Sequence, residues 1–335
     1  MKAGLRILIV GASGSSHVGS SLLRAAHRLG IEAKLCDTKS AWRHGTLRQR
    51  LFWHFAGRRP IALERFSRAI LETCAQFRPD VIVTTGSAPV SARTLRSCRQ
   101  KGVKCLNFST DDPFNPRQRA PWLLRALREY DVVFTPRTAN QEELRLHGCQ
   151  QVVYLPFGYD DSLFFAEPNV DPKEESDLFF AGTGTVDRAP YIRAAVEAGF
   201  QVRLHGIYWD RFAETRGVSR GQADIPTLRE AIASCKVALC LVRHENRDGH
   251  SMRSFEVPAV GACMVVEDTE EHRQIFGEDG TRVIYFRSAG EMVEQMRILL
   301  ANEILRRSLR DDVHLHITNG ANTYADRLRA MINTL

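Results

Sequence analysis

Strand-sized apolar runs alternate with helix-patterned stretches along nearly the whole chain, and that alternation leaves few architectures open. Apolar runs occupy residues 6–10, 33–36, 81–83, 103–108, 132–134 and 152–155, and helical spacing fills 15–30, 61–77, 90–101, 121–129 and 138–147. In the first helical stretch Val18, Leu22, Leu23, Ala26 and Leu29 share one stripe. Strands regularly separated by helices pair in parallel, which points to a doubly wound sheet. The pattern stops over residues 156–176, where Pro156, Gly158, Pro168 and Pro172 and an acidic cluster from Asp171 to Asp177 read as a linker. It then restarts, with runs at 178–181, 201–205, 236–242, 263–267 and 283–286, and helical patterns at 187–198, 227–234, 270–276 and from 289 to 301 onward. The expected architecture is therefore α/β, with two Rossmann-like doubly wound parallel-sheet domains facing across a cleft. The halves are alike in architecture and show no residue-level repeat.

The length of 335 residues suits two domains of roughly 150 residues each. A hydrophobic share of 44% and a charged share of 25% are those of a globular protein with a sizeable core. No apolar run approaches the roughly 18 residues of a membrane span, and the N-terminus has no signal-peptide pattern, so a cytoplasmic protein is expected. Eight cysteines without a CxxC pair read as buried reduced thiols, with no metal site. A net charge of +7 suits an anionic small substrate, an acidic membrane surface or nucleic acid. Because the basic residues are dispersed and no binding motif appears, nucleic acid is not expected as a partner. Residues 43–59, from Arg43 to Arg59, are rich in Arg and aromatics. They read either as an interfacial helix giving peripheral contact with the inner membrane, or as a connecting helix packed through Leu47, Leu51, Phe52 and Phe55.

In an open parallel sheet, ligands bind beyond the carboxyl ends of the strands. The richest such segment is 248–267, DGHSMRSFEVPAVGACMVVE, which follows the run ending at Val242. Gly249 permits a close backbone approach, and a helix is expected from about His250. The amides of its first residues, His250 and Ser251 among them, would attract a phosphate. Arg253, one turn in, adds a charge to the same phosphate, and Glu256 is placed to accept from two vicinal hydroxyls such as those of a ribose. Pro258 and Gly261 are expected to end the helix.

This stretch resembles the donor-binding region of GT-B glycosyltransferases, in which an acidic residue and a Glu are separated by seven positions. Asp248 and Glu256 have that spacing, with Asp in place of the first Glu. The resemblance implies that Glu256 holds the nucleotide ribose and Asp248 lies beside the donor sugar. More closely, the chain is similar to the spore-maturation-protein-like branch of these transferases over roughly residues 80–330. The carrying residues include Thr110-Asp111-Asp112-Pro113-Phe114, Phe134-Thr135-Pro136-Arg137, Leu155-Pro156-Phe157-Gly158, Phe180-Ala181-Gly182-Thr183 and Arg253-Ser254-Phe255-Glu256. The fold implied is GT-B. Its acceptor domain would be 1–157, its linker 158–176 and its donor domain 177–318, with a C-terminal helix in 319–335 returning to the first domain.

Gly182 and Thr183 open the turn before Arg188. Family members carry an Arg and, five positions later, a Lys here for the donor diphosphate; this chain has Thr183 and Arg188. In the first half, the loop with Gly11, Gly14 and Gly19 lacks the G-x-G-x-x-G spacing of a dinucleotide site. With Gly14 and Ser15 it would leave room for acceptor or donor phosphate, and similar inverting transferases keep a basic His there, which makes His17 the candidate base. Asp111 and Asp112 are candidates for contact with acceptor or donor sugar, one of them also capping the turn before Pro113.

The implied reaction moves a sugar from a nucleoside diphosphate sugar to a hydroxyl or amine acceptor, with no cofactor or metal required. A nucleotide-sugar epimerase or hydrolase of the same fold, and a binding protein without turnover, are the rival readings. The nucleotide, the sugar, the acceptor, the stereochemistry and the oligomeric state stay open.

Overall fold

The apolar runs become strands that are covered on both faces. In β1 (Arg6–Gly11), Ile7, Leu8, Ile9 and Val10 are all fully buried, as in parallel strands sandwiched by helices. The computed structural model describes residues 4–42, 53, 55–167 and 174–335, so most of 43–59 and the middle of the linker lie outside the described residues. The chain divides into two units.

The first unit comprises Met1–Pro156, Glu245–Arg247 and Tyr324–Leu335. After β1 come α1 (Val18–Arg28), β2 (Glu32–Asp37), α2 (Leu63–Phe77), β3 (Val81–Thr85), α3 (Ala92–Gln100), β4 (Lys104–Phe108), α4 (Pro121–Leu127), β5 (Val132–Thr135), α5 (Thr138–Leu146) and β6 (Val152–Tyr154). All pair in parallel in the order β2-β1-β3-β4-β5-β6. The second unit comprises Phe157–His244 and Asp248–Thr323. It holds β7 (Ser176–Ala181), α6 (Ala189–Glu197), β8 (Val202–His205), the single turn α7 (Ala213–Arg216), α8 (Ile225–Ala233), β9 (Cys235–Cys240), α9 (Arg253–Val260), β10 (Met264–Glu267), α10 (Glu270–Phe276), β11 (Ile284–Phe286), α11 (Ala289–Ala301) and α12 (Glu303–Asn319). Its sheet is also parallel, in the order β11-β10-β9-β7-β8.

The last helix, α13 (Tyr324–Ile332), belongs to the first unit. It packs on α1, buries Tyr324, Leu328 and Met331, and Arg327 Nε donates to the Pro156 carbonyl at 2.9 Å.

Strand order decides where ligands can enter. In the first sheet the order reverses between β1 and β3, in the second between β7 and β9. At such a reversal the flanking loops leave on opposite faces and open a crevice at the carboxyl ends of the strands. In the first unit the packing beside it is tight. A Cβ on Gly19 would lie 3.0 Å from Gly11 Cα, and one on Gly11 would lie 2.5 Å from Thr85 Oγ1, so only glycines let α1 lie this close to β1. Helix α1 begins at Val18 rather than at Ser15, because Gly14 N–H is taken by Ser20 Oγ and residues 14–17 form a turn.

All eight cysteines are free thiols, seven of them buried. Among the described residues no helix is long and apolar enough to cross a membrane.

Candidate active site

In the second unit, the loops that follow β7 and β9 flank the strand-order reversal, and they carry the residues singled out for the donor. Helix α9 starts at Arg253, three residues later than the sequence pattern suggested, and continues through Pro258 to Val260, where Gly261 closes it with φ of 95°. The late start has a cause. Ser251 N–H is held by Ser254 Oγ at 3.1 Å, and His250 turns its ring into the protein, with a relative exposure of 1%. The helix therefore begins with the amides after Ser251, and the Ser251 amide, expected to meet a phosphate, is already bonded to Ser254 Oγ.

Glu256 lies in the first turn of α9 with 3% of its surface exposed. Its carboxylate pairs with Arg253, three residues before it. Burial pushes its pKa up, and the Arg253 charge only partly opposes that. The Arg253 guanidinium keeps a quarter of its side chain accessible and also approaches the Phe164 ring, 5.9 Å from its centroid. Asp248 is nearly buried and accepts from Arg243 Nε at 3.1 Å. Arg243 was not singled out from the sequence. It sits three residues beyond β9, where the carboxyl-end rule already directs attention, and 40% of its side chain is accessible.

Arg188 differs from expectation. Its guanidinium is buried and donates to main-chain carbonyls: Val242 at 3.2 Å, Thr183 at 3.3 Å and Leu241 at 3.2 Å. It thus ties the loop after β7 to the end of β9, across the strand-order reversal. Burial, and then the neighbouring Arg243 charge, pull its pKa below the ordinary guanidinium value. Gly182 and Thr183 lie in that loop after β7, and a Cβ on Gly182 would lie 3.1 Å from Arg188 Nη1. Gly249 was expected to admit a ligand's approach, but what approaches it is protein. A Cβ there would lie 2.5 Å from Glu271 Cδ.

In the first unit, Gly14, Ser15 and His17 are exposed in the loop between β1 and α1. His17 occupies the N-cap position without a side-chain cap bond. Partial desolvation and then Lys39 lower its pKa, against Asp37. The loop after β3, beginning at Gly86, shares this strand-order reversal and was missed, because only the order of strands reveals it.

Asp111 and Asp112 separate sharply. Asp111 is half-buried, whereas the Asp112 side chain has no accessible surface. Asp112 accepts from Arg247 at 2.7 and 3.0 Å, from Asn140 at 2.9 Å and from Phe114 N–H at 2.9 Å, the last being the turn cap. Burial alone would raise its pKa, but those four donors hold it below the usual carboxylate range. Asp112 is thus corrected from a sugar contact to a structural carboxylate. Asp112→Ala is expected to cost about 3 kcal/mol in a thermal unfolding experiment, since Arg247 and Asn140 lose their shared partner.

Residues 188–333, which contain the whole segment from Arg188 to Glu256, match the family model described as glycosyl transferase-like. No curated protein matches the chain in sequence. Among solved structures, sucrose-phosphate synthase of Thermosynechococcus elongatus superposes with a TM-score of 0.71 at 13% identity, covering 98% of both chains. Anabaena HepE in complex with UDP-glucose gives 0.65 at 12% identity, over 99% of this chain and 100% of that one. A putative UDP-N-acetylglucosamine 2-epimerase from Listeria monocytogenes gives 0.59 at 13%, over 98% and 95%. The likeness to these structures shows a GT-B fold, and the match to the glycosyl transferase-like model lies within its second half. The candidate site is the strand-order reversal between β7 and β9, with Arg243, Asp248, Arg253 and Glu256 in the loop and helix that follow β9.

Proposed function

We propose that this protein transfers a glycosyl group from a nucleoside diphosphate sugar to a hydroxyl or amine acceptor. The observation that carries the reading is the buried Glu256 carboxylate. It lies on the first turn of the helix behind central strand β9, inside the matched domain, with Arg253 as its ion-pair partner. A carboxylate is costly to bury, so one kept beside a strand-order reversal points to a ligand. On donor binding, Glu256 accepts from the ribose hydroxyls and Arg253 turns to the diphosphate. Arg253, Arg243 and the N-terminus of α9 then stabilise the leaving diphosphate. Asp248, oriented by Arg243, meets the hydroxyls of the sugar. Arg188 acts from behind, by holding the two loops together. These groups stabilise the leaving group without a metal.

The acceptor belongs at the other strand-order reversal, between β1 and β3, with His17 as the base that takes the acceptor proton. That HepE was solved with UDP-glucose and that T4 phage BGT was solved with its UDP-glucose substrate supports a uridine nucleotide as the first donor to try. The epimerase neighbour has the same fold, and product analysis with and without an acceptor separates that reaction from transfer.

The expected result is that one of UDP, GDP, CDP, ADP and dTDP, in the presence of EDTA, stabilises the protein against heat. At about 100 times its dissociation constant, such a ligand contributes roughly 2.7 kcal/mol. No shift with any of the five, bare or sugar-linked, would remove the donor reading.

A further inference from the structure

The turn that leads into α9 is gripped from outside, by the first turn of α10. Thr269 donates its hydroxyl to the Gly249 carbonyl at 2.5 Å, and the same oxygen caps α10 by accepting His272 N–H at 3.0 Å. Glu271 sets its carboxylate 2.8 Å from His250 Nδ1, both side chains being almost wholly buried. Gly249 makes room for that carboxylate, as the 2.5 Å approach to an added Cβ shows. His272 Nε2 meets Ser254 Oγ at 2.9 Å, and Ser254 Oγ in turn accepts Ser251 N–H at 3.1 Å.

The partners fix the protons. Phe157 N–H donates to His250 Nε2 at 3.1 Å, so His250 carries its proton on Nδ1 and gives it to Glu271. The Glu267 carbonyl, 2.8 Å from His272 Nδ1, can only accept. In the neutral ring His272 Nε2 is then bare and accepts a hydrogen bond from the Ser254 hydroxyl. Burial pushes the His272 pKa down to about 4, in keeping with a neutral ring. Neither imidazole reaches solvent, and each is committed on both nitrogens, so neither serves as a proton carrier.

We propose that Glu271 and His272 are positioning residues for the donor. Acting through His250 and Ser254, they set the backbone of residues 249–252 and so aim Arg253 and Glu256. The assignment rests on the donor reading given above. The loop needs such support because the α9 N-cap, Met252, supplies no side-chain bond of its own. Misplacing a binding group by about 1 Å can cost on the order of 10²-fold in rate.

The test compares full-length wild type, Glu271→Ala, Glu271→Gln and Glu256→Ala by calorimetric titration with UDP, GDP, CDP, ADP and dTDP, and by melting temperature. Glu271→Ala is expected to weaken the nucleotide that the wild type binds by about tenfold or more. Glu271→Gln, whose amide oxygen still accepts from His250 Nδ1, should recover to within about threefold. A purely structural Glu271 would lower the melting temperature of Glu271→Ala while leaving the affinity of the folded protein unchanged, and that result overturns the proposal. If Glu256→Ala weakens binding and Glu271→Ala does not, the donor site stands and the positioning role falls. If both variants bind like wild type, or the wild type binds none of the five, the donor reading falls and the proposal with it. Should Glu271→Ala not fold, Glu271→Asp carries the same test: its shorter carboxylate cannot reach His250 without moving the loop. Wild-type affinity in that variant also overturns the assignment.

Discussion

Glu256→Ala is expected to weaken nucleoside diphosphate binding by at least about tenfold, for the bare nucleotide as much as for the sugar nucleotide. Hydrogen bonds to a charged acceptor contribute about 1.5–3 kcal/mol each, and a ribose offers two hydroxyl donors. The loss falls on binding rather than on folding, since the partner left behind, Arg253, keeps a quarter of its side chain in water. Glu256→Gln retains the size, loses the charge and accepts at one atom only, so it should lie between wild type and Ala. Asp248→Ala should penalise the sugar nucleotide more than the bare diphosphate. The pH dependence has a definite sign. Burial raises the Glu256 pKa, with Arg253 opposing, so on acidification this carboxyl takes up its proton earlier than an ordinary Glu. Its protonated form accepts less well. Wild-type affinity should therefore decline as the pH falls, and Glu256→Gln should lose that part of the dependence. Calorimetry across pH reads both effects.

His17→Ala is expected to lower the rate of transfer by about 10²- to 10⁴-fold while leaving donor affinity nearly unchanged. The position suits a base. His17 is exposed at the head of α1, its ring makes no cap bond, and desolvation with Lys39 keeps it neutral to lower pH than an ordinary histidine. Since the side chain packs little, the substitution should leave the melting temperature close to wild type. If the enzyme retains anomeric configuration, the loss will be smaller and will appear in acceptor KM. Unchanged turnover would remove His17 from the site.

Much of the fold could be read from residue patterns, for a physical reason. Strands buried on both faces are continuous apolar runs, as in Ile7–Val10 and Val237–Cys240, and these are visible without knowing their partners. Strand order is different, because a strand's choice of parallel partner is set by long-range packing. The strand-order reversals, and with them the loop after β3, therefore emerge only from coordinates, whereas Arg243 follows an apolar run and could have been singled out from the sequence. The spacing from Asp248 to Glu256 carried the donor segment, and both carboxylates lie in the loop and helix that follow β9. The grip of Thr269, Glu271 and His272 on Gly249–Ser254 could not be foreseen, since it crosses between elements separated by β10. Asp111 and Asp112 are legible in part. The sequence implies that one of them caps the turn before Pro113, and Asp112 does so, but its burial and its pair with Arg247, which make it structural, depend on a distant residue. The pattern also put the start of α9 too early, because the Ser251 amide is captured by Ser254 Oγ.

The central claim is that a nucleotide-sugar donor binds at the strand-order reversal of the second unit. The most direct measurement is a crystal structure with whichever of the five diphosphates stabilises the protein most. The expected density places the ribose hydroxyls within hydrogen-bond distance of the Glu256 carboxylate. It also shows Arg253 released from Glu256 and bonded to a phosphate, with the diphosphate between the loops after β7 and β9. Nucleotide bound elsewhere, with the Arg253–Glu256 pair intact and the crevice holding only water, would contradict the account.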